Sequence, residues 1–179
     1  MRELSYIPDP PRAQRPAITR TAQGLALYGA LHATFTDVHP ACDQILQNSA
    51  DAIGKGKPGP EGRRHCARHV ASYTAGQTLA AILVTRALGY RLPFRALAAG
   101  MALNAATHYA IDRREPFIRL MRRIGKGGYL DHATVQRREG VVDTSGPGTA
   151  LMECDQATHR AIGVAASLIT TWIAMRSQR

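Results

Sequence analysis

Apolar positions recur every three to four residues along most of the chain and strand-like alternation is nearly absent, so the pattern predicts helices almost throughout. A first helix is expected over about 18–37, and Pro40 either kinks it or opens a second helix that runs to about 51. The glycine- and proline-rich stretch IGKGKPGPEG (53–62) reads as a loop. A long helix follows over about 63–88. Another covers about 94–114, where Glu115-Pro116 ends or bends it. The short basic segment FIRLMRRI (117–124) is helical and leads into a GKGG turn. Polar and turn-forming residues over 129–148, ending in DTSGPG, read as an irregular excursion before a last helix over about 149–176. Four prolines (Pro8, Pro10, Pro11 and Pro16) deny regular structure to residues 1–17, an expected disordered or extended arm. Residues 18–179 are expected to form one all-α domain, a bundle of about five to six helices.

Composition narrows the class without changing it. A chain of 179 residues, 45% hydrophobic and 20% charged, can bury a full core without disulfide or metal staples. Its three cysteines have no disulfide-like spacing, which excludes a secreted disulfide scaffold and points to a reducing, cytoplasmic setting. The first residues hold no apolar run of the signal-peptide kind. The longest uncharged stretches (70–85, 96–111 and 161–175) fall short of the about 20 apolar residues of a spanning helix, and they contain Gln, Asn, His, Ser or Thr. Purification without detergent is therefore expected, and membrane attachment is the less favoured alternative. Lys and Arg outnumber Asp and Glu by 23 to 13, a formal charge of +10, which favours an anionic partner: a phosphate ester, a nucleic acid or an acidic membrane surface.

The placement of the seven histidines carries more information. Four pairs share the spacing i, i+4: His39 with Asp43, His65 with His69, His108 with Asp112, and Asp155 with His159. On a helix that spacing stacks two side chains on one face. A single such pair is also what a hydrogen-bonded core or a solvated surface produces, and Asp155 also suits a helix start by its charge. Four pairs in otherwise apolar helices point instead to a shared metal centre, because facing helices of a bundle can aim carboxylates and imidazoles at one point. Only His32 and His132 stand outside the pattern. Five histidines and three aspartates exceed the needs of one ion. They suit two divalent ions with a bridging carboxylate, where three carboxylates leave about one positive charge to attract an anion. The expected ligands are thus His39, Asp43, His65, His69, His108, Asp112, Asp155 and His159.

Flanking residues extend these rows. Gln47 continues the face of His39 and Asp43, Asn104 precedes His108 by one turn, and Gln156 adjoins Asp155. All three suit outer partners that orient ligands, or plain buried hydrogen bonds. Cys42, Cys66 and Cys154 each neighbour an expected ligand but point about 100° away around a helix, so they read as small buried apolar residues. Arg113, Arg114, Arg119, Arg122, Arg123 and Lys126 follow the His108–Asp112 pair, either to hold substrate phosphates or as a solvated basic face. GKGKPG and GKGG lack the spacing of phosphate-binding loops and read as flexible turns.

With these residues in view, the sequence resembles an uncharacterised bacterial and phage family of small helical proteins, often described as membrane-associated. The shared blocks are H-x-x-x-D-x-x-x-Q, H-x-x-x-H, H-x-x-x-D and D-Q-x-x-H, here HPACDQILQ (39–47), HCARH (65–69), HYAID (108–112) and DQATH (155–159), in that order. That family is similar to membrane-bound metal-dependent hydrolases and, more distantly, to helical zinc-dependent phospholipases C and single-strand nucleases. The resemblance implies metal-dependent phosphoester hydrolysis with His and Asp ligands. The chain departs from the family in less apolar helices, in Gln44 where an aromatic is usual, and in the long 129–148 excursion, a candidate substrate cover.

The resulting expectation is a hydrolase in which Asp43, Asp112 or Asp155 bridges the ions or serves as general base. A thiolate-poor, histidine-rich ligand set favours zinc, with manganese, iron or nickel as alternatives. Nucleic acid or a nucleotide is the leading substrate class. The rival is a basic nucleic-acid-binding protein whose metal site is purely structural. With aromatics at 6% and no helix-turn-helix or zinc-finger signature, it has little support. Di-iron redox chemistry is disfavoured because such bundles use several Glu ligands and Glu-x-x-His blocks, which this chain's helices lack.

Overall fold

Thr19 opens the first helix by accepting a hydrogen bond from the Ala22 N–H, and α1 runs over Arg20–Pro40. The computed structural model describes residues 19–177, so the arm expected over 1–17 lies outside the described residues. Pro40 has no N–H to give to the carbonyl four residues back. The helix responds by widening rather than stopping: Ala41–Ile45 is a π-helical turn, closed by the Leu46 N–H on Ala41 O at 3.1 Å. Asn48 then caps a short α2 (Ser49–Gly54).

The long α3 (Gly59–Ala87) starts four residues before the periodic pattern suggests, since Pro60 fits a first helical turn. After α4 (Phe94–Asp112), Pro116 likewise opens α5 (Glu115–Arg123) instead of bending α4. The 129–148 excursion is more regular than its composition suggests. It holds the end of α6 (Gly127–His132) and an antiparallel hairpin, β1 (Val135–Arg138) with β2 (Val141–Asp143), bulged between Gln136 and Arg138. Thr149 caps the last helix, α7 (Ala150–Arg176), accepting from Met152 N–H. Among the described residues there are thus seven α-helices, with the short α2 and α6 exceeding the expected count.

The four long helices form a square in which α1 and α4 each pack on both α3 and α7. Toward one end lies the apolar core, with Leu27, Leu31 and Phe35 of α1 against Leu97 and Met101 of α4 and alanines of α3 and α7. Leu31 is fully buried there, and truncating it to Ala costs about 2–5 kcal/mol. A second apolar cluster (Ile111, Phe117, Met121, Leu130 and Ala150) fastens α5 and α6 over the end of α4 and the start of α7.

Polar residues that interrupt the apolar helices are buried at no great cost. Thr34, Thr85, Ser167 and Thr170 each donate to the carbonyl four residues back. No helix among the described residues is long and apolar enough to cross a membrane.

Candidate metal centre

The π-helical turn, α3 and α4 bring four side chains together: Asp43, His69, His108 and Asp112, all 4% exposed or less. The Nε2 atoms of His69 and His108 are 3.0 Å apart. His69 Nε2 lies 3.0 Å from both Asp43 Oδ1 and Asp112 Oδ2, and His108 Nε2 lies 3.5 and 3.1 Å from the same two atoms. Ligands at about 2.1 Å from an ion in tetrahedral geometry stand about 3.4 Å from one another, so these separations match the edges of a coordination shell. Asp43 Oδ1 and Asp112 Oδ2 accept no hydrogen bond despite this closeness. Buried oxygens that approach nitrogens without an aligned N–H are what a cation between them requires.

A second group, Asp112, Asp155 and His159, shares Asp112 with the first. His159 Nε2 is 3.4 Å from Asp155 Oδ1 and 3.8 Å from Asp112 Oδ1, and it too has no hydrogen-bond partner. His39 stands beside both groups. Its Nε2 is unpartnered and 3.8 Å from Asp43 Oδ2, while its Nδ1 is 2.9 Å from the Tyr73 hydroxyl.

At His39, Asp43 and Asp112 the electrostatics favour the deprotonated forms that ligation requires. Burial, reinforced by the charge of His159, lowers His39 to about 4, so its imidazole is neutral at pH 7. Burial would raise the carboxyls of Asp43 and Asp112, but the adjoining imidazoles and Lys55 outweigh it and hold both well below the usual carboxylate range. At His108 burial disfavours the cation, and the two carboxylates overcome that and raise it. Asp155, buried with fewer donors, is raised.

Six of the eight expected ligands fall in these two groups and His39 stands beside them, whereas the fold takes His65 elsewhere. Its Nδ1 meets Asp51 Oδ1 at 2.7 Å, and its ring lies so close over Gly54 that a Cβ there would strike it. Asp51 also receives Arg68, which holds its carboxyl down to about 2. This trio ties α2 to α3.

Of the expected outer partners, Gln156 holds Asp43 Oδ2 at 2.9 Å, and Asn104 reaches the Tyr73 hydroxyl at 3.3 Å rather than a ligand. Gln47 lines the cleft described below, with its Nε2 unpartnered. Burial raises Cys42, and it pushes Cys66 up to about 12, so both remain thiols packed in the interior. Cys154 is half-buried, and all three cysteines are free.

Tyr73 was not among the expected site residues, although it continues the row His65, His69, Tyr73, Gln77 at four-residue steps. It stacks on His108 with ring centres 3.9 Å apart, and Gln77 and Asn104 donate to its hydroxyl. We expect Tyr73→Phe to keep the stack on His108 but weaken metal binding by about tenfold, through loss of the hydroxyl that ties His39, Gln77 and Asn104 together behind that ligand. Calorimetric titration with zinc checks this, and an unchanged affinity would remove Tyr73 from the centre.

Lys55 is the second such residue. The supposedly flexible GKGKPG turn is clamped: the Arg113 guanidinium donates to Lys55 O at 2.6 Å and Lys57 O at 2.7 Å, and a Cβ on Gly62 would run into both Lys57 O and that guanidinium. The clamp sends the Lys55 side chain, 14% exposed, to Asp112 Oδ1 at 3.1 Å and toward Asp43 Oδ1 at 3.8 Å.

A cleft of about 240 Å³ opens onto Asp43, Lys55, Asp112, Asp155 and Gln156 and is walled by Arg114, Ser145 and Pro147. The much larger hollows elsewhere, such as one of about 680 Å³ around Arg86, Tyr90 and Arg91, contain no carboxylate or imidazole, and one of about 270 Å³ has only Asp131, which Arg122 already pairs. The DTSGPG segment therefore forms one wall of the site, fixed by Asp143 accepting from Ser145 and Gly146 N–H. Arg114 alone of the basic run reaches the cleft, donating to Ser145 Oγ at 3.1 Å. It does so from a γ-turn with φ 58° and ψ −57°, closed by the Glu115 N–H on Arg113 O at 2.7 Å, a strained conformation for a residue with a side chain. Arg113 clamps the loop, Arg119 pairs with Glu115 and Arg122 with Asp131, and Arg123 and Lys126 are exposed. His32 stacks on Tyr28, and His132 is exposed.

Fold and site together define an all-α protein with a buried His/Asp group positioned to hold a metal ion. No protein family, curated protein or solved structure matches the chain. The resemblance drawn above rests on its four sequence blocks.

Proposed function

We propose that the protein is a metal-dependent phosphoester hydrolase acting on a nucleotide or nucleic acid. The observation that carries this reading is the cleft, which exposes one edge of the His/Asp group and faces it with the cations of Lys55 and Arg114. A purely structural site has no need of such an opening. The nitrogen and oxygen donors suit zinc, with manganese, iron or nickel as alternatives. When bound, the ion supplies Lewis acidity toward a phosphoryl oxygen and activates water.

The chain's own residues supply the rest. Asp155 sits between the buried group and the opening, placed to take a proton from the attacking water. Arg114 and Lys55 hold phosphoryl oxygens, and Gln156 fixes the orientation of Asp43. Because only one arginine of the basic run reaches a cleft this small, a nucleotide or a terminal phosphate fits it better than a length of strand.

A screen of phosphomonoesters, phosphodiesters and nucleotides with added zinc, manganese, iron or nickel tests the reading. Wild type should turn over at least one class only with metal, and His108→Ala should lose that activity by about a hundredfold or more. Activity that survives both chelation and His108→Ala would sink the assignment.

Arg114 allows a second check. Arg114→Gly should cut kcat/KM by about tenfold or more through the lost charged hydrogen bond. It should also be more stable than Arg114→Ala by about 1 kcal/mol, since only glycine relieves the γ-turn strain. Equal stabilities in a denaturant titration would contradict the strain, and unchanged kinetics would contradict the role.

A further inference from the structure

We infer that Lys55 takes the place of a second cation, so that the centre accepts one divalent ion with the lysine ammonium beside it. This rests on the metal-centre reading above and replaces the two-ion expectation.

The two oxygens of Asp112 face different neighbours. Oδ2 faces His69 and His108, which with Asp43 complete one shell. Oδ1 faces Lys55 Nζ at 3.1 Å and His159 Nε2 at 3.8 Å. A second ion held by Asp112, Asp155 and His159 would have to share that region with the ammonium.

Charge decides between them. Asp43, Asp112 and Asp155 carry three negative charges, which one divalent ion and one ammonium balance. Two divalent ions and the ammonium would leave two positive charges in a site whose carboxylates and imidazoles are buried or half-buried, an arrangement that a low-dielectric interior penalises heavily.

The position of Lys55 is also built rather than incidental. A solvent-exposed lysine gains little from one ion pair because it must order a long side chain. Here the Arg113 clamp on the carbonyls of Lys55 and Lys57 fixes the backbone, and the side chain is mostly buried. The ammonium also lines the cleft, so it is placed to hold the phosphoryl oxygen that a second ion would otherwise hold.

Zinc stoichiometry tests this without reference to activity. Protein saturated with zinc, desalted and assayed for metal should hold one ion per chain in wild type and in Lys55→Arg. Lys55→Glu supplies a fourth carboxylate and should hold two. Lys55→Met removes a positive charge a few ångströms from the ion and should bind its single zinc about tenfold or more tighter.

Two ions in wild type would overturn the inference and leave the metal-centre reading standing. No ion in wild type would overturn both. A single ion in a Lys55→Glu protein with native helical circular dichroism, or weaker zinc binding in Lys55→Met, would mean that the lysine supports the carboxylates and replaces no cation. If Lys55→Glu does not fold, the wild-type count and the direction of the Lys55→Met shift still decide the matter.

Discussion

Asp112→Asn should lower metal affinity by at least about a hundredfold, since losing a ligand costs more than losing an outer partner of a ligand. Turnover should fall with it. The amide keeps the shape of the side chain, so the effect isolates charge. Asp112 is the residue common to both His/Asp groups, and it meets Lys55 through one oxygen and His69 and His108 through the other. Without metal, the substitution also takes from the Lys55 ammonium its nearer carboxylate and leaves it Asp43 at 3.8 Å, and a denaturant titration should register a loss of about 1–3 kcal/mol. Asp51→Asn is the matched control. It too removes a buried carboxylate that pairs with a histidine and an arginine, but at the α2–α3 junction. That variant should lose stability and keep its metal. If Asp112→Asn retains wild-type metal content and affinity, the ligand assignment is wrong whatever its stability.

These two aspartates also mark how far spacing along the chain can be read. Asp43, His69, His108, Asp112, Asp155 and His159 were legible because a helix converts i, i+4 spacing into a common face. The same rule placed His65 among them. Spacing names the face but not the depth along the helix axis. His65 lies a turn away from His69, where Asp51 of a neighbouring helix intercepts it.

Lys55 and Arg114 were harder for another reason. They lie in connections with no period, and their directions come from tertiary contacts: a guanidinium clamp on two carbonyls for one, a γ-turn for the other. A count of basic residues after Asp112 likewise could not foresee that Arg119 and Arg122 would find Glu115 and Asp131. The hairpin within 129–148 escaped because strands of three and four residues are too short to display alternation.

Metal removal should produce the largest change in thermal stability. In the folded chain His39 Nε2, His159 Nε2, Asp43 Oδ1 and Asp112 Oδ2 are buried and lack hydrogen-bond partners, and the two carboxylates belong to one His/Asp group. Each such group is costly to bury alone, and an ion that satisfies several of them binds the native state far better than the unfolded one. With free metal at a thousandfold excess over Kd, the stabilisation is about 4 kcal/mol. For a chain of this size each kcal/mol moves the melting temperature by about 2–4 °C. Metal should therefore raise Tm by about 8–16 °C over chelated protein, and the gain should grow with the logarithm of metal concentration. Differential scanning calorimetry on dialysed protein gives the measurement. His65→Ala should show the same gain from a lower baseline, because His65 belongs to the α2–α3 junction. His108→Ala should lose most of it. A wild-type Tm that does not respond to zinc, manganese, iron or nickel would leave the convergence of these side chains without the cation that explains it.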